Sequence, residues 1–395
     1  MEKAFVKAKT ILEKLHTNGY EAYFVGGAVR DMLLKRPIGD IDIATSALPT
    51  EIMRLFPRTI DVGVVHGTVI VLHENEQYEV TTFRTEDKYK DFRRPSQVEF
   101  VKSLHEDLKR RDFTMNAIAL TIDGEMIDPF QGRQAIANKY IQTVGIAKER
   151  FNEDALRMMR AIRFQSQLGF TLSEETKLAI LANSSLLKNI SVERITIEFE
   201  KLLRGQSCQT AIPTIIDTAL YRFLPGLEDM QIYLSSFSQY MWYRLKERAE
   251  YWTLVCYLLH INKVDSFLRN WKLPTKIIEQ TTSNLLCLET LKQTGWTKRT
   301  LYDYGMDCIQ QVERIIDVIG RDKEYPSPID EYKRLLIKKR TDIEITGNDL
   351  IAWFNQKPGK WISDCFERIE NAILENKLDN NKEKIKEWLL SCNQK

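Results

Sequence analysis

The 395-residue chain is short of several features, and each shortage closes off a class of function. Its five histidines are scattered, and its six cysteines (208, 256, 287, 308, 365 and 392) contain no C-x-x-C pair. Neither a zinc cluster nor a disulfide framework can be read from that pattern, and reduced thiols are expected. There is no H-E-x-x-H string, no Walker phosphate loop and no His-Asp dipeptide of a phosphohydrolase. No apolar run is long enough to span a bilayer. The opening MEKAFVKAKTILEKLHTNGY has the spacing of an amphipathic helix ending at Gly19, not of an apolar signal core, so a cytoplasmic location is expected. Repeats and low-complexity segments are missing too. Charge of one sign is not in excess: 57 Lys and Arg against 55 Asp and Glu leave +2. A nucleic-acid partner would therefore have to be met by local clusters of Lys and Arg.

What remains is an ordinary globular composition, 43% hydrophobic and 28% charged, with room for two or more domains. The stretch around which the chain is arranged is YFVGGAVRDMLLKRPIGDIDIA, residues 23–44. An apolar strand over 22–25 runs into Gly26-Gly27, and a helix over 28–35 carries Arg30 and Asp31. Pro37-Ile38-Gly39 then turn the chain into a strand over 40–44. On that strand Asp40 and Asp42 alternate with Ile41 and Ile43, which puts both carboxylates on one face. Two carboxylates so placed repel each other unless a cation lies between them, and hard oxygen donors suit Mg²⁺. Glycines before a helix let backbone N–H groups approach an anion. A phosphate cradle beside metal carboxylates points to a nucleoside triphosphate.

Up to about residue 140, helices and strands alternate. LPTEIMRLF is a short helix, with Pro49 near its start and Pro57 just past its end. GTVIVLHENEQYEVTTFRT reads as a hairpin whose second arm carries Glu79, either a third acidic residue near Asp40 and Asp42 or an exposed strand glutamate. Residues 85–96, TEDKYKDFRRPS, lack periodicity and read as a mobile charged loop. After a strand at VEFV, Ser103 and Glu106 have the form of a capping box. The helix it opens delivers KRRDFTMNA, residues 109–117, in which Arg110, Arg111, Asp112 and Asn116 form a plausible sugar-phosphate contact set.

From about 145 the pattern is helical, with no further convincing strand. Residues 151–168, FNEDALRMMRAIRFQSQL, read as one helix capped by Asn152 and ended by Gly169. Asp154 and Arg157 are three apart and adjacent on its surface. Arg160 and Arg163 drift by about a sixth of a turn per step and fall further from the same ligand. An Asp–Arg pair matches the Watson–Crick edge of C or A, each with an amino group beside a ring-nitrogen acceptor. U and G present a carbonyl and a protonated nitrogen there instead. Such contacts are worth about 1–3 kcal/mol each. Further on, Arg194 and Glu198 have i,i+4 spacing. The aromatics of 240–271 suggest packing. Arg334, Lys338, Lys339, Arg340, Lys357 and Lys360 are candidate RNA-phosphate contacts.

GGAVRD with GDIDIA, then RRDFTMNA, EDALRMMRAIRF and SVER, stand in an order that resembles the motifs of the class II tRNA nucleotidyltransferases, the CCA-adding enzymes and their poly(A) polymerase relatives. The resemblance covers residues 20–205. It implies an α+β fold: a polymerase beta-like nucleotidyltransferase head with a mixed sheet (1–142), followed by an all-α neck (143–206), body (207–275) and tail (276–395). The implied activity is template-independent addition of C, C and A to the tRNA 3′ end from CTP and ATP, with Mg²⁺ as cofactor. By the same resemblance, Asp40 and Asp42 are the catalytic and metal residues. Gly27, Arg30, Arg111, Asp112, Asp154, Arg157, Arg160 and Arg163 bind the nucleotide, and SVER braces the base-selecting helix. tRNA is the implied partner, with a homodimer open. The alternatives are addition of A alone, poly(A) addition, a silent tRNA-binding protein, or a small-molecule nucleotidyltransferase. Gly63-Val-Val-His66-Gly67 stands where bacterial poly(A) polymerases carry a Gly-Arg-Arg-Phe-like string, and the charged loop is intact, which favours full CCA addition.

Overall fold

In the computed structural model, residues 3–63, 67–86, 89–90, 94–95, 98–320 and 326–392 are described. The opening amphipathic stretch is helix α1 (Lys3–Thr17), whose Phe5 packs on Phe24 with ring centroids 4.8 Å apart. Then come β1 (Ala22–Val25), α2 (Gly27–Leu33), β2 (Asp42–Thr45) and α3 (Pro49–Leu55), followed by β3 (Thr59–Gly63) and the hairpin β4 (Thr68–His73) and β5 (Glu76–Thr82). Short strands β6 (Arg84–Glu86), β7 (Tyr89–Lys90), β8 (Arg94–Pro95) and β9 (Val98–Phe100) precede α4 (Leu104–Lys109), β10 (Ala119–Leu120), β11 (Met126–Ile127) and α5 (Gly132–Ala137).

Seven strands form one mixed sheet in the order β11-β10-β1-β2-β5-β4-β3. Only β2 and β5 run parallel within it. The register positions the site. Val25 of β1 pairs with Asp42, and Asp42 pairs with Glu79 of β5.

Two local expectations are corrected. The strand expected over 40–44 begins at Asp42, and Asp40 lies in the bend before it, so the carboxylates do not share a strand face. Pro37 and Gly39, three and one residues before Asp40, hold the chain in a turn for longer than the alternation suggested. The charged segment 85–96 is partly paired where it is described: β6 pairs with β9, and β7 with β8. The rest of that segment, and His66 with the residues before it, lie outside the described residues.

Beyond the sheet come β12 (Tyr140–Ile141), α6 (Ala147–Glu153), α7 (Leu156–Leu168), β13 (Thr171–Leu172), α8 (Glu174–Asn183), α9 (Val192–Leu203) and α10 (Cys208–Asp217). β13 pairs in parallel with β12, a strand where none was expected, because alternation cannot show in two residues. The run 151–168 is two helices with a break at Asp154, and Asn152 sits in the last turn of α6 instead of capping a helix. Gly169 ends α7 in the left-handed conformation, φ 69°, as expected.

The chain divides into two compact units, Met1–Tyr243 with Asn270–Lys272, and Arg244–Arg269 with Leu273–Lys395. The second is helical, with a long helix at Thr275–Thr294, a kinked one at Lys298–Ile319 that breaks at Gly305, and a core that includes Leu301, Ile309, Ile337, Leu350, Ile369 and Ile373. The five cysteines whose side chains are described are free thiols, as expected.

Candidate active site

The site starts from a glycine that nothing else could replace. Gly26, between β1 and α2, has φ 74°, and a Cβ added there would lie 2.9 Å from Asp42 Oδ2 and 3.3 Å from Arg111 Nη1. A left-handed backbone and a carboxylate pressed against it both demand glycine. Gly27, the residue expected to bind nucleotide, is the first residue of α2, and a Cβ added there would lie 3.6 Å from Arg30 Nη2.

Asp42 has a carboxyl whose pKa is strongly raised. Burial first, then the charge of Glu79, push it up to about 6; Arg111 pulls it back part of the way, and Asp40 adds to the rise. Asp40 itself is exposed, and so is Glu79. Among the described residues, no group of three or more His, Cys, Asp or Glu is placed to hold a metal ion.

Around these carboxylates the basic residues are held by named partners. Arg111 donates from Nη2 to Asp107 at 3.1 Å, while its buried Nε has no acceptor. Arg30 forks onto Asp31, with Nε and Nη2 each at 3.0 Å, and donates from Nη1 to Asn116 Oδ1 at 2.8 Å. Asp112 is buried. Its Oδ1 accepts from Phe113 N at 2.8 Å and Asn116 Nδ2 at 3.0 Å, and its Oδ2 accepts from Arg160 Nε at 2.8 Å. Burial pushes the Asp112 carboxyl up, but the Arg160 charge and these hydrogen bonds outweigh it and hold the group well below the usual carboxylate range.

The base-selecting pair differs from expectation. Asp154 is not on the helix of Arg157: it lies in extended backbone between α6 and α7 and accepts from Leu156 N at 3.0 Å, capping α7. Its Oδ2 accepts from Arg194 Nη2 at 2.8 Å. Arg157 donates to Glu153 at 2.5 Å, to the Arg150 carbonyl at 3.2 Å and to the Arg110 carbonyl at 3.0 Å. The last contact and the Arg160–Asp112 pair join α7 to the end of α4. Arg163 points into the protein, bonded to Glu198 at 2.5 Å, and lies 3.8 Å over the Phe164 ring. Arg194 and Glu198, expected to pair with each other, instead reach Asp154 and Arg163.

Asp42, Arg30, Arg111, Asp112, Arg157 and Arg160 are thus linked through a few shared contacts, while Arg163 is committed to the α7–α9 interface. Two neighbours escaped the sequence reading. Asp107 was marked only by its i,i+3 and i,i+4 spacing to Arg110 and Arg111. Phe164, whose ring also has the Arg30 guanidinium at 5.1 Å and that of Arg160 at 5.6 Å, looked like one more core aromatic.

Residues 22–142 match the family model of the Poly A polymerase head domain, and residues 243–389 that of tRNA nucleotidyltransferase domain 2. A CCA-adding enzyme of Geobacillus sp. (strain WCH70) is 50% identical over 397 residues, 100% of this chain and 98% of the relative. One from Bacillus cereus (strain G9842) is 48% identical over 393 residues, 98% and 99% of the two chains. The crystal structure of the Bacillus stearothermophilus CCA-adding enzyme in complex with CTP superposes with a TM-score of 0.94 at 44% identity, covering 100% and 98% of the two chains. A Thermotoga maritima CCA-adding enzyme complexed with tRNA shares the fold, with a TM-score of 0.66 at 19% identity over 99% and 96%.

Proposed function

The chain belongs to the CCA-adding enzymes, and from that premise we propose how its own residues divide the work. The reaction is template-independent addition of C, C and A to the 3′ end of tRNA from CTP and ATP, with release of pyrophosphate. The convergence of Gly26, Asp42 and Arg111 carries the assignment of roles: a bare backbone, a carboxylate and a guanidinium meet where a triphosphate and a cation would lie side by side.

Mg²⁺ fits the donor set. Asp42 is a half-buried carboxylate facing the charges of Glu79 and Asp40, opposed by Arg111, and a hard cation relieves that excess. Asp40 and Asp42 would hold it. When bound, it would activate the primer 3′-hydroxyl and neutralise charge on the departing pyrophosphate. Gly27, Arg30 and Arg111 hold the triphosphate, and Asp112 with Asn116 meets the ribose. Asp154 and Arg157 read the base, the carboxylate accepting from the amino group of C or A and the guanidinium donating to the ring nitrogen. Arg160 ties the neck to Asp112, and Arg163 stiffens the neck from behind. Rate then comes from in-line positioning and charge neutralisation, with no covalent intermediate.

The division into head (1–142), neck (143–206), body (207–275) and tail (276–395), with the later domains holding tRNA, accompanies this reading, as does a cytoplasmic location. Among the described residues, no helix is long and apolar enough to cross a membrane.

The test is incorporation on tRNAs ending before the CCA, after one C and after two. Growth by three, two and one nucleotides and then a stop is expected, and EDTA should prevent it. Asp42→Ala should abolish incorporation while tRNA binding, read by gel shift, persists. Asp154→Ala should admit U or G; clean selection of C and A by that variant would remove Asp154 from base reading.

A further inference from the structure

The end of α4 carries a carboxylate that the scheme above does not use. Asp107 is fully buried. Its Oδ1 accepts from Arg110 Nε at 3.0 Å and Nη2 at 2.7 Å, and its Oδ2 accepts from Arg111 Nη2 at 3.1 Å. Burial pushes its carboxyl up, but the two guanidiniums outweigh that and hold it below its ordinary value. A full negative charge taken out of water is thus committed to two neighbouring arginines, and each leads to a different end of the site.

With Nη2 anchored, Arg111 sets Nη1 beside Gly26 and Asp42 and leaves Nε buried without an acceptor. Its donors are therefore in place before any ligand arrives. An arginine free to choose its rotamer loses up to about 2 kcal/mol of side-chain entropy when a ligand fixes it. The Arg110 carbonyl, on the same turn, accepts from Arg157 Nη2 at 3.0 Å. Fixing this turn thus also fixes what Arg157 leans on.

We propose that Asp107 is a positioning residue that presets the Arg111 fork for the triphosphate of the incoming nucleotide. This rests on the reading of Arg111 as a triphosphate ligand. Because CTP and ATP present the same phosphates, the effect is blind to the base.

The test is steady-state kinetics on tRNA lacking CCA and on tRNA ending in CC, with Asp107→Asn, Arg111→Ala and the double variant, alongside thermal melting. Asp107→Asn should raise KM for CTP and for ATP by a common factor of about ten, the weight of one charged hydrogen bond. KM for tRNA and the preference for C and A over U and G should stay as in the parent. The double variant should be no worse than Arg111→Ala alone. Should Asp107→Asn fail to fold, Asp107→Glu, which keeps the charge but displaces it by one methylene, should show the same common rise in KM. Arg111→Ala with an unchanged nucleotide KM would sink the triphosphate reading itself. Arg111→Ala with a raised KM, beside a folded Asp107 variant that matches the parent, lowers kcat alone, or adds its full penalty to Arg111→Ala, would overturn the positioning role.

Discussion

At the residue scale, the site is built from carboxylates and guanidiniums whose charges answer one another, and Asp112 shows what that costs. It is buried, and its ionised form is held by Arg160, Asn116 and the Phe113 amide. Its folded-state pKa is depressed, so the unfolded chain binds the proton more readily. The stability it contributes is complete above the ordinary carboxylate range, about pH 4, and is lost as pH falls below that. Asp112→Asn should accordingly lower stability by about 2 kcal/mol at pH 7. Its gap from the parent should close towards pH 3 in denaturant titrations run at both values. A gap that stays constant with pH would mean the carboxylate is not ionised in the fold. Asp42 and Arg111 were legible from sequence because each stands in a recognisable local pattern, GDIDIA and RRDFTMNA. Asp107 was not, because its i,i+3 and i,i+4 spacing to Arg110 and Arg111 does not show that the carboxylate is buried, and Phe164 was not, because Arg30 reaches its ring from a distant part of the chain.

At the element scale, α9 has the more instructive mismatch. Arg194 and Glu198 have i,i+4 spacing with the basic residue first, the weaker order, and such a surface pair is worth about 0.2–0.5 kcal/mol. Two cross-element pairs outcompete it: Arg194 with Asp154 at the head of α7, and Glu198 with Arg163 further along the same helix. Sequence periodicity shows which residues share a helix face but not which helix arrives opposite. For the same reason it read 151–168 as continuous, although Asp154 leaves the helix to cap α7 and meet Arg194. Because Arg163 and Glu198 are both buried, Glu198→Gln should cost about 3–5 kcal/mol by stranding the guanidinium. The apolar pair Arg163→Met with Glu198→Leu should recover most of that in urea unfolding. Equal losses in the single and double variants would show that the ion pair is not the brace of α7 against α9.

At the scale of the whole molecule, the head was legible because strand alternation, paired glycines and motif order all act locally. The C-terminal half reads only as helical, since its cores are assembled from residues far apart in sequence, Leu301 with Ile373 for instance. The aromatics of 240–271 were assigned to packing, and Trp242, Trp252 and Trp271 are fully buried, whereas Tyr243 is exposed. Their allegiance could not be read. Trp271 sits in a three-residue stretch, Asn270–Lys272, that belongs to the first unit while the chain on both sides belongs to the second. Its ring lies on Phe199 of α9 with centroids 4.8 Å apart, and its carbonyl accepts from Thr196 Oγ1 at 2.8 Å. That helix carries Arg194, so a tryptophan some hundred residues downstream of Asp154 and Arg157 covers the element that holds Asp154. Truncating so large a buried ring costs about 3–5 kcal/mol, and the loss should fall where the contact is. In Trp271→Ala, amide hydrogen exchange should quicken across Val192–Leu203, while Trp361–Leu374 in the second unit should keep its protection. Exchange that quickens equally in both helices, or in neither, would mean that Trp271 does not belong to the support of α9.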